Sequence, residues 1–486
     1  MEESLKKRTI RALSWSFVQE AGLRGLQLGI SIVLARILAP KEFGLVAMLS
    51  VFIALAQALV DGGLASALVQ AKQPTEAHKC SVFYFNICAS ILLAGMLWVA
   101  APWIASFYRQ PLLAPMLRVL GLVPVLNGLG LVQNALLIRN LELKKQTGIL
   151  AASTGLSGVV AAALAWRGFG VWSLVFLYVT QSVARAGLLW LWNGWRPKRL
   201  FSLRALGEML RFGWGMLCSS IVGSVYDNLY PLLIGRFFSA ASVGYFNRAQ
   251  SLQWIASQSL AVVASRVTFP VFSAMQEQSA RLRAGLRKAL TTISLLHFPM
   301  MIGLAVTAKP LILLVFTDKW APCIPYLQLL AVAGLPYPSH VLNLSLLMAL
   351  GRSDLFFRLE VLKAAAFLGT GLVTFRWGVM AMIWGQLVCS VLAYFLNTYF
   401  TKKLIGYSVW EQLRDLYPCL AASVVMGLVV SLVGSLLPAG NVLQLSFRVV
   451  FGALVYWLLC RSFRSAALSE VAGFVFRGGA SATTAQ

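Results

Sequence analysis

Long apolar segments recur along almost the whole chain and are separated by short polar stretches. Many approach the roughly 20 residues that a helix needs to cross a hydrocarbon core about 30 Å thick. Stretches such as Ile91–Ala101 and Ala421–Val433 lack the alternation of polar and apolar residues that a membrane β-barrel requires. The sequence therefore predicts an all-α integral membrane protein with about fourteen transmembrane helices.

The composition excludes a soluble protein of this length. Charged residues make up 12% of the chain and hydrophobic residues 59%, whereas a soluble domain has roughly 25% charged residues. Two or three soluble domains could not cover their surfaces with so few polar side chains. The net charge of +25 does not indicate nucleic-acid binding, because the basic residues form short clusters between the apolar segments.

The distribution of basic residues predicts the orientation of the chain. With the N-terminus in the cytoplasm, about 27 of the 41 lysines and arginines fall on the cytoplasmic side and about 10 on the outer side. Both termini are therefore expected in the cytoplasm. The basic segment Met1–Arg11 precedes an apolar run that continues to Leu38, which is longer than the core of a signal peptide and predicts an uncleaved first span.

An internal repeat is visible in the order of short motifs. Leu34–Gly44 aligns with Ile234–Gly244, which places Arg36 on Arg236 and Gly44 on Gly244. Later matches keep the same order, spacing and membrane side. Parallel repeats of this kind are typical of transporters in which one half rocks against the other. Chance matches between low-complexity apolar segments are the alternative.

The repeat predicts how the chain is divided. Residues 1–192 form an N-terminal lobe of spans 1–6, and residues 210–400 form a C-terminal lobe of spans 7–12. A cytoplasmic linker, 193–209, joins the two lobes. Residues 401–486 supply spans 13 and 14 and a cytoplasmic tail.

Charged residues inside the predicted spans are candidates for function, because a charge near the middle of a bilayer costs about 2.5 kcal/mol or more. Arg24 lies about 16 Å into span 1 at 1.5 Å per residue, and Glu20 lies one turn earlier on the same face. The two residues form either an internal ion pair or part of an anion site on a cavity wall. Arg185 lies about halfway along span 6, too deep to reach the interface easily.

Two acidic residues are candidates for ion coupling. Asp227 lies within span 7 and is interpreted either as a proton or cation site or as a polar residue satisfied by packing. Asp61 precedes Gly62 and Gly63 near the cytoplasmic end of span 2, where a solvated or helix-terminal role is equally open. His297, in span 9, is interpreted as a proton relay or as a satisfied polar residue.

Arginines in a water-filled cavity suit a phosphate-bearing substrate, because the planar guanidinium binds phosphate oxygens with two hydrogen bonds. No P-loop, GxSxG or HExxH motif is present in the sequence. The seven cysteines form no CxxC pair and are interpreted as small apolar residues. The sequence therefore favours a transporter over an enzyme, with neither a cofactor nor a metal site expected.

The repeat motifs also carry a family resemblance. Leu34–Ala47, Asp227–Ala249, Arg266–Ser273 and Ala349–Arg352 resemble bacterial polysaccharide flippases of the Wzx/PST type. These belong to the MOP exporter superfamily, together with the lipid II flippase and the MATE drug exporters. The resemblance covers roughly residues 8–360 and is looser beyond them.

The resemblance implies a function and a site. It implies two six-helix lobes around a cationic cavity, alternating access, and an oligosaccharide on undecaprenyl pyrophosphate moved across the bacterial inner membrane. By this resemblance Arg24 and Arg248 are expected to contact the substrate, and Arg185 is added because of its depth. Asp61 and Asp227 are expected to couple transport to H⁺ or Na⁺, with Glu20 added because it faces Arg24.

The expected partners are the lipid-linked substrate, membrane lipids and a polysaccharide polymerase, and the expected state is a monomer. The main alternative is a small-molecule cation antiporter of the MATE kind, which would need a smaller and more acidic or aromatic cavity. A membrane enzyme such as a polymerase or ligase should show a large outer loop with catalytic residues, and this sequence has no such loop. A lipid scramblase would not need an ion gradient.

Overall fold

A computed structural model of the chain describes residues 22–71, 73–436 and 440–462, and every regular element within these ranges is helical. Glu20 and both chain termini lie outside the described residues. Ten helical segments among the described residues are long and apolar enough to cross a membrane. The prediction of an all-helical, multi-pass membrane protein is confirmed.

The chain divides into two compact units, unit 1 (Met1–Gly244) and unit 2 (Tyr245–Gln486). The helices that begin in unit 1 are, in chain order, α1 (22–37), α2 (Pro40–Asp61), α3 (Leu64–Gln70), α4 (Glu76–Tyr108), α5 (Leu113–Leu120), α6 (Leu122–Arg139), α7 (Leu143–Trp166), α8 (Val171–Trp192), α9 (Leu203–Phe237) and α10 (Ala240–Ala274).

Helix α10 continues into unit 2. The remaining helices are α11 (Ser279–Phe316), α12 (Cys323–Ala333), α13 (Tyr337–Ala349), α14 (Ser353–Thr374), α15 (Val379–Ile405), α16 (Val409–Leu436) and α17 (Asn441–Ser462). Two short 3₁₀ turns, Asp318–Trp320 and Phe375–Trp377, precede α12 and α15.

Predicted spans 7, 8 and 11 correspond to α9, α10 and α14. These helices have 35, 35 and 22 residues, which is long enough to cross a bilayer, but they are not among the ten apolar segments. Helix α14, for example, carries Arg358, Glu360 and Lys363 within two turns. The total of fourteen spans stays a prediction.

The first repeat motif has the same local structure in both copies. A helix runs to residue 37 or 237, the chain is non-helical for two residues, and a new helix begins at Pro40 or Ala240. A Cβ atom on Gly44 would lie 1.6 Å from the Ala240 carbonyl oxygen, and one on Gly244 would lie 2.1 Å from that of Pro40. The aligned glycines therefore allow two helix starts to cross with their backbones in contact.

Helix α9 belongs to unit 1. The repeat assigns span 7 to the second lobe, but α9 lies in unit 1 and packs against α2, α3 and α4. The first of these contacts brings Ser50 of α2 within hydrogen-bond distance of Asn228 of α9, with 2.9 Å between Oγ and Oδ1. Helix α9 therefore helps to build the interior of unit 1.

In unit 2, the prolines of α11 determine how α17 packs. Pro299 and Pro310 lie inside α11 and lack the N–H groups that would bind the carbonyls four residues earlier. Helix α17 supplies both replacement donors. The Tyr456 hydroxyl donates to the Leu295 carbonyl at 2.8 Å, and Arg448 Nη1 donates to the Val306 carbonyl at 2.9 Å.

The buried histidine of α11 also contacts a carbonyl group close to a proline. Pro338 lies in the first turn of α13 and has no N–H to offer the Gly334 carbonyl, which instead accepts from the Tyr337 backbone N–H at 3.0 Å. His297 Nε2 lies 3.1 Å from this oxygen, and the side chain is fully buried. Its Nδ1 has no hydrogen-bond partner among the described residues, so both interpretations of His297 stay open.

Candidate functional site

Asp61 ends helix α2, where the chain makes a sharp break. Gly62 and Gly63 follow with φ values of +51° and +68°, a conformation that favours glycine. The break leaves the Val60 carbonyl without a helical donor, and Asn86 Nδ2 of α4 supplies one at 2.6 Å. The helix end that carries Asp61 is therefore fixed by a buried side chain of a neighbouring helix.

Helix α9 approaches this break closely. A Cβ atom on Gly63 would lie 2.4 Å from the carbonyl oxygen of Gly213, so a larger residue at either position would force the two backbones apart. Helices α6 and α8 also pack tightly, since a Cβ atom on Gly130 would lie 2.6 Å from the Leu189 side chain. These glycines thus allow close packing of the helices that surround one space.

That space is a cavity of about 340 Å³ within unit 1. This volume lies near the lower end of the about 300–1,000 Å³ range of small-molecule sites. Its polar lining residues come from α2, α3, α6, α8 and α9: Gln57, Asp61, Ser66, Asn127, Asn134, Arg185 and Ser220. The apolar lining includes Leu126, Leu131, Leu189 and Met216.

A chain of hydrogen bonds runs along one wall of the cavity and ends on the carboxylate. Asn127 Nδ2 donates to Gln57 Oε1 at 2.9 Å, and Gln57 Nε2 donates to Asp61 Oδ1 at 3.0 Å. Asn134 is oriented by a separate contact, in which Gln146 Nε2 donates to its Oδ1 at 3.1 Å. The carboxamides are therefore held in fixed orientations.

Arg185 brings the opposite charge to the same cavity. It lies on α8, lines the cavity, and interacts electrostatically with Asp61. Sequence reasoning singled out these residues separately, one for substrate and one for ion coupling. The structure places them together, so neither charge acts alone.

Three other predicted site residues lie within the described part of the chain and do not line this cavity: Arg24, Asp227 and Arg248. Arg24 is half-buried on α1, and Asp227 is exposed on α9. Arg248 is buried in unit 2, where its guanidinium carbon lies 5.2 Å from the centre of the Phe316 ring and 5.4 Å from that of Trp320. This cation–π geometry stabilises the arginine side chain in an apolar setting.

The carboxamides Gln57, Asn127 and Asn134 were not predicted from the sequence, because uncharged polar residues are less conspicuous in apolar segments than charged ones. Two spacings could have indicated them. Gln57 lies four residues before Asp61 and hence on the same helix face, and Asn127 and Asn134 are seven residues apart on α6. Among the described residues, no three His, Cys, Asp or Glu side chains are grouped as a metal site requires.

Comparison with known families identifies the class of protein. Residues 33–325 match a family described as "Polysaccharide biosynthesis protein". The chain belongs to this family. The resemblance to Wzx-type flippases that the sequence motifs indicated is confirmed.

Two relatives extend this family assignment over most of the chain. The chain is 30% identical over 442 residues to "Lipopolysaccharide biosynthesis protein WzxC" of Escherichia coli (strain K12). The alignment covers 88% of this chain and 89% of that one. The chain is 29% identical over 471 residues to "Succinoglycan biosynthesis transport protein ExoT" of Rhizobium meliloti (strain 1021), covering 93% and 92%. The protein is thus a polysaccharide-biosynthesis transport protein rather than an enzyme.

Solved structures show that this family member has the MOP-type fold. The lipid II flippase MurJ in an inward closed conformation aligns with a TM-score of 0.75 at 13% identity, covering 92% of this chain and 98% of that one. An inward-facing MATE multidrug transporter aligns with a TM-score of 0.59 at 17% identity, covering 80% and 96%. At these identities the likeness concerns the fold alone.

Proposed function

We propose that this protein is a flippase that moves an oligosaccharide, carried on undecaprenyl pyrophosphate, across the bacterial inner membrane. The observation that carries the proposal is family membership, with 88% of the chain aligned to a relative named for lipopolysaccharide biosynthesis. A second relative is named a succinoglycan transport protein. Movement of a lipid-linked building block across the membrane is the transport step that fits both names.

The proposed mechanism is alternating access between the two lobes of the parallel repeat, with both termini in the cytoplasm and an H⁺ or Na⁺ gradient as the energy source. The matching helix breaks at Pro40 and Ala240 support the repeat. A polysaccharide polymerase that consumes the delivered unit is the proposed partner, and the proposed state is a monomer.

The pyrophosphate is assigned to Arg24 and Arg248, and ion coupling to Asp227 and Glu20. Each arginine provides a planar fork for phosphate oxygens. Asp227 is exposed in a helix that otherwise carries many apolar residues, which suits a carboxylate that exchanges an ion. Asp61 and Arg185 are assigned differently, because their charges meet in one cavity.

A strain that lacks the gene tests the proposal. Lipid-linked repeat units should accumulate on the cytoplasmic leaflet, where they stay inaccessible to a glycan-modifying reagent added from outside, and surface polysaccharide should fall. Expression of the protein from a plasmid should reverse both effects. Unchanged surface polysaccharide without accumulation of the lipid-linked unit would rule the flippase out.

The role of Arg24 is tested by Arg24→Ala beside Arg24→Lys. Both should lower export at equal protein levels, Lys less than Ala, because lysine keeps the charge but not the planar fork. Arg118→Ala is the control. Arg118 lies on α5, its guanidinium carbon is 4.6 Å from the centre of the Trp98 ring, and it has no proposed role in transport. Full export by both Arg24 variants would make Arg24 structural.

A further inference from the structure

The unit 1 cavity has no net formal charge. Asp61 and Arg185 are the two charged side chains among its described lining residues, and they carry opposite signs. A cation beside Asp61 would also face the Arg185 guanidinium, and a pyrophosphate beside Arg185 would face the Asp61 carboxylate. Each ion would therefore meet one like charge as well as one opposite charge. The cavity therefore disfavours both kinds of ion and suits a neutral ligand.

The hydrogen-bonding capacity that remains in the cavity is mixed. Within the described part of the chain, Asp61 Oδ2 and Asn127 Oδ1 accept no hydrogen bond, and Asn134 Nδ2 and the Arg185 guanidinium donate none. Two acceptors and two donors thus line one space, in addition to the hydroxyls of Ser66 and Ser220.

A mixed set of donors and acceptors is matched by hydroxyl groups, since each hydroxyl both donates and accepts. A bare cation uses acceptors and a phosphate uses donors, so each would leave half of these groups unpaired. Either ion would therefore use only part of the hydrogen-bonding capacity of the lining. A sugar ring offers several hydroxyls on neighbouring carbons and satisfies both kinds of group at once.

The fixed geometry of the walls supports a binding role. The carboxamide of Asn127 is held by Gln57, and that of Asn134 by Gln146, so these groups lose little conformational entropy when a ligand binds. The cavity of about 340 Å³ accommodates part of a glycan rather than an entire lipid-linked repeat unit.

We infer that the unit 1 cavity is a sugar-binding subsite, in which Asp61, Arg185, Asn127 and Asn134 bind hydroxyl groups of the translocated glycan and select among glycans. The inference rests on the proposed flippase function and adds a place where the sugar itself is recognised. Asp61 accepts and Arg185 donates strong hydrogen bonds to the sugar. In this role Arg185 does not bind phosphate and Asp61 does not bind a coupling ion.

The first test varies the glycan. Deletion of the glycosyltransferases that add the later sugars gives cells with lipid-linked units truncated to the first sugar. Asn134→Leu and Asn127→Leu should lower export of the full repeat unit about tenfold, the equivalent of 1.4 kcal/mol. The same variants should change export of the truncated unit less than about twofold.

Asn228→Leu is the matched control for this test. Asn228 bonds Ser50 and the Ser224 carbonyl and does not line the cavity, so any loss of export should be equal for both glycans. If Asn134→Leu and Asn127→Leu lowered export of the full and the truncated unit equally, the subsite would be overturned. Failure of the unaltered protein to export either unit would instead overturn the flippase function on which the subsite rests.

The second test uses the charged pair. Asp61→Asn and Arg185→Gln each leave one uncompensated charge and should each lower export about tenfold. The double variant restores neutrality and keeps both side chains as hydrogen-bonding groups, so it should recover export to within about threefold of the unaltered protein. If Asp61 instead exchanged a coupling ion, the double variant would stay as defective as Asp61→Asn, and that outcome would overturn the inference.

Discussion

Two groups of intramembrane polar side chains, one in each unit, differ in what they bind. In unit 1, Asp61, Arg185 and two asparagines keep hydrogen-bonding capacity directed into a cavity. In unit 2, polar side chains of α17 complete the hydrogen bonding of α11. Arg448 and Tyr456, for example, donate to carbonyls of α11 that prolines leave without helical partners.

The comparison shows that an intramembrane arginine does not identify a substrate site by itself. Arg185 lines a cavity together with a carboxylate, and Arg448 binds a backbone carbonyl. Arg248, to which the pyrophosphate is assigned, lies against two aromatic rings. The chemical role of each follows from what its helix packs against.

The largest effect on stability is expected from Arg448→Met in unit 2. The substitution removes the donor to the Val306 carbonyl and should lower the free energy of unfolding by about 1–3 kcal/mol, the cost of a buried unsatisfied acceptor. Denaturant titration of the detergent-solubilised protein, followed by tryptophan fluorescence, measures the change.

A second substitution makes this prediction specific. Pro310→Ala restores the backbone N–H that pairs with the Val306 carbonyl in a regular helix, so Arg448→Met should cost much less in that background. The difference between the two backgrounds is the coupling energy of a double-mutant cycle. Equal costs in both would show that the carbonyl is not what Arg448 stabilises.

Tyr456→Phe should have the next largest effect. It removes the hydroxyl that donates to the Leu295 carbonyl and should cost about 0.5–1.5 kcal/mol of unfolding free energy. Pro299→Ala is the matching background, because it returns a helical donor to the same oxygen. A loss that is unchanged by Pro299→Ala would contradict the assignment.

A smaller effect is expected from the ion pairs between α11 and α16. Arg283 pairs with Glu411 at 2.6 Å, and Arg287 pairs with Asp415 at 2.5 Å, one turn further along both helices. Because three of these four side chains are largely exposed, Arg283→Ala should cost about 0.2–1 kcal/mol. The cost should shrink in high salt, and a salt-independent loss would point to packing instead.

The smallest effect on stability is expected in the unit 1 cavity. Ser220 lines the cavity and makes no hydrogen bond to another described residue, so Ser220→Ala should change the free energy of unfolding by less than about 0.5 kcal/mol. Thr401→Val in unit 2 is the comparison, because its hydroxyl donates to Asn343 Oδ1 at 2.8 Å in a fully buried setting. Equal losses in the two variants would remove the distinction between the units.

Sequence reasoning found the helices and two of the cavity residues. Asp61 and Arg185 were selected because a charge in an apolar segment is costly, but they are far apart in the chain and nothing local relates them. The carboxamides were missed because an uncharged polar residue is less costly in a span and therefore less conspicuous. The carbonyls that lack a helical donor could be located from the prolines in the sequence, whereas their donors on α17 could not.

The sequence by itself determined that the chain crosses a membrane as helices, because the length and apolarity of a segment are local properties that the bilayer selects directly. It also determined the family, through motifs that lie within single segments. The tertiary structure alone decided which polar groups stay available and which are used in the fold. A hydrogen bond between two helices depends on their distance and orientation, and residues remote in the chain set both.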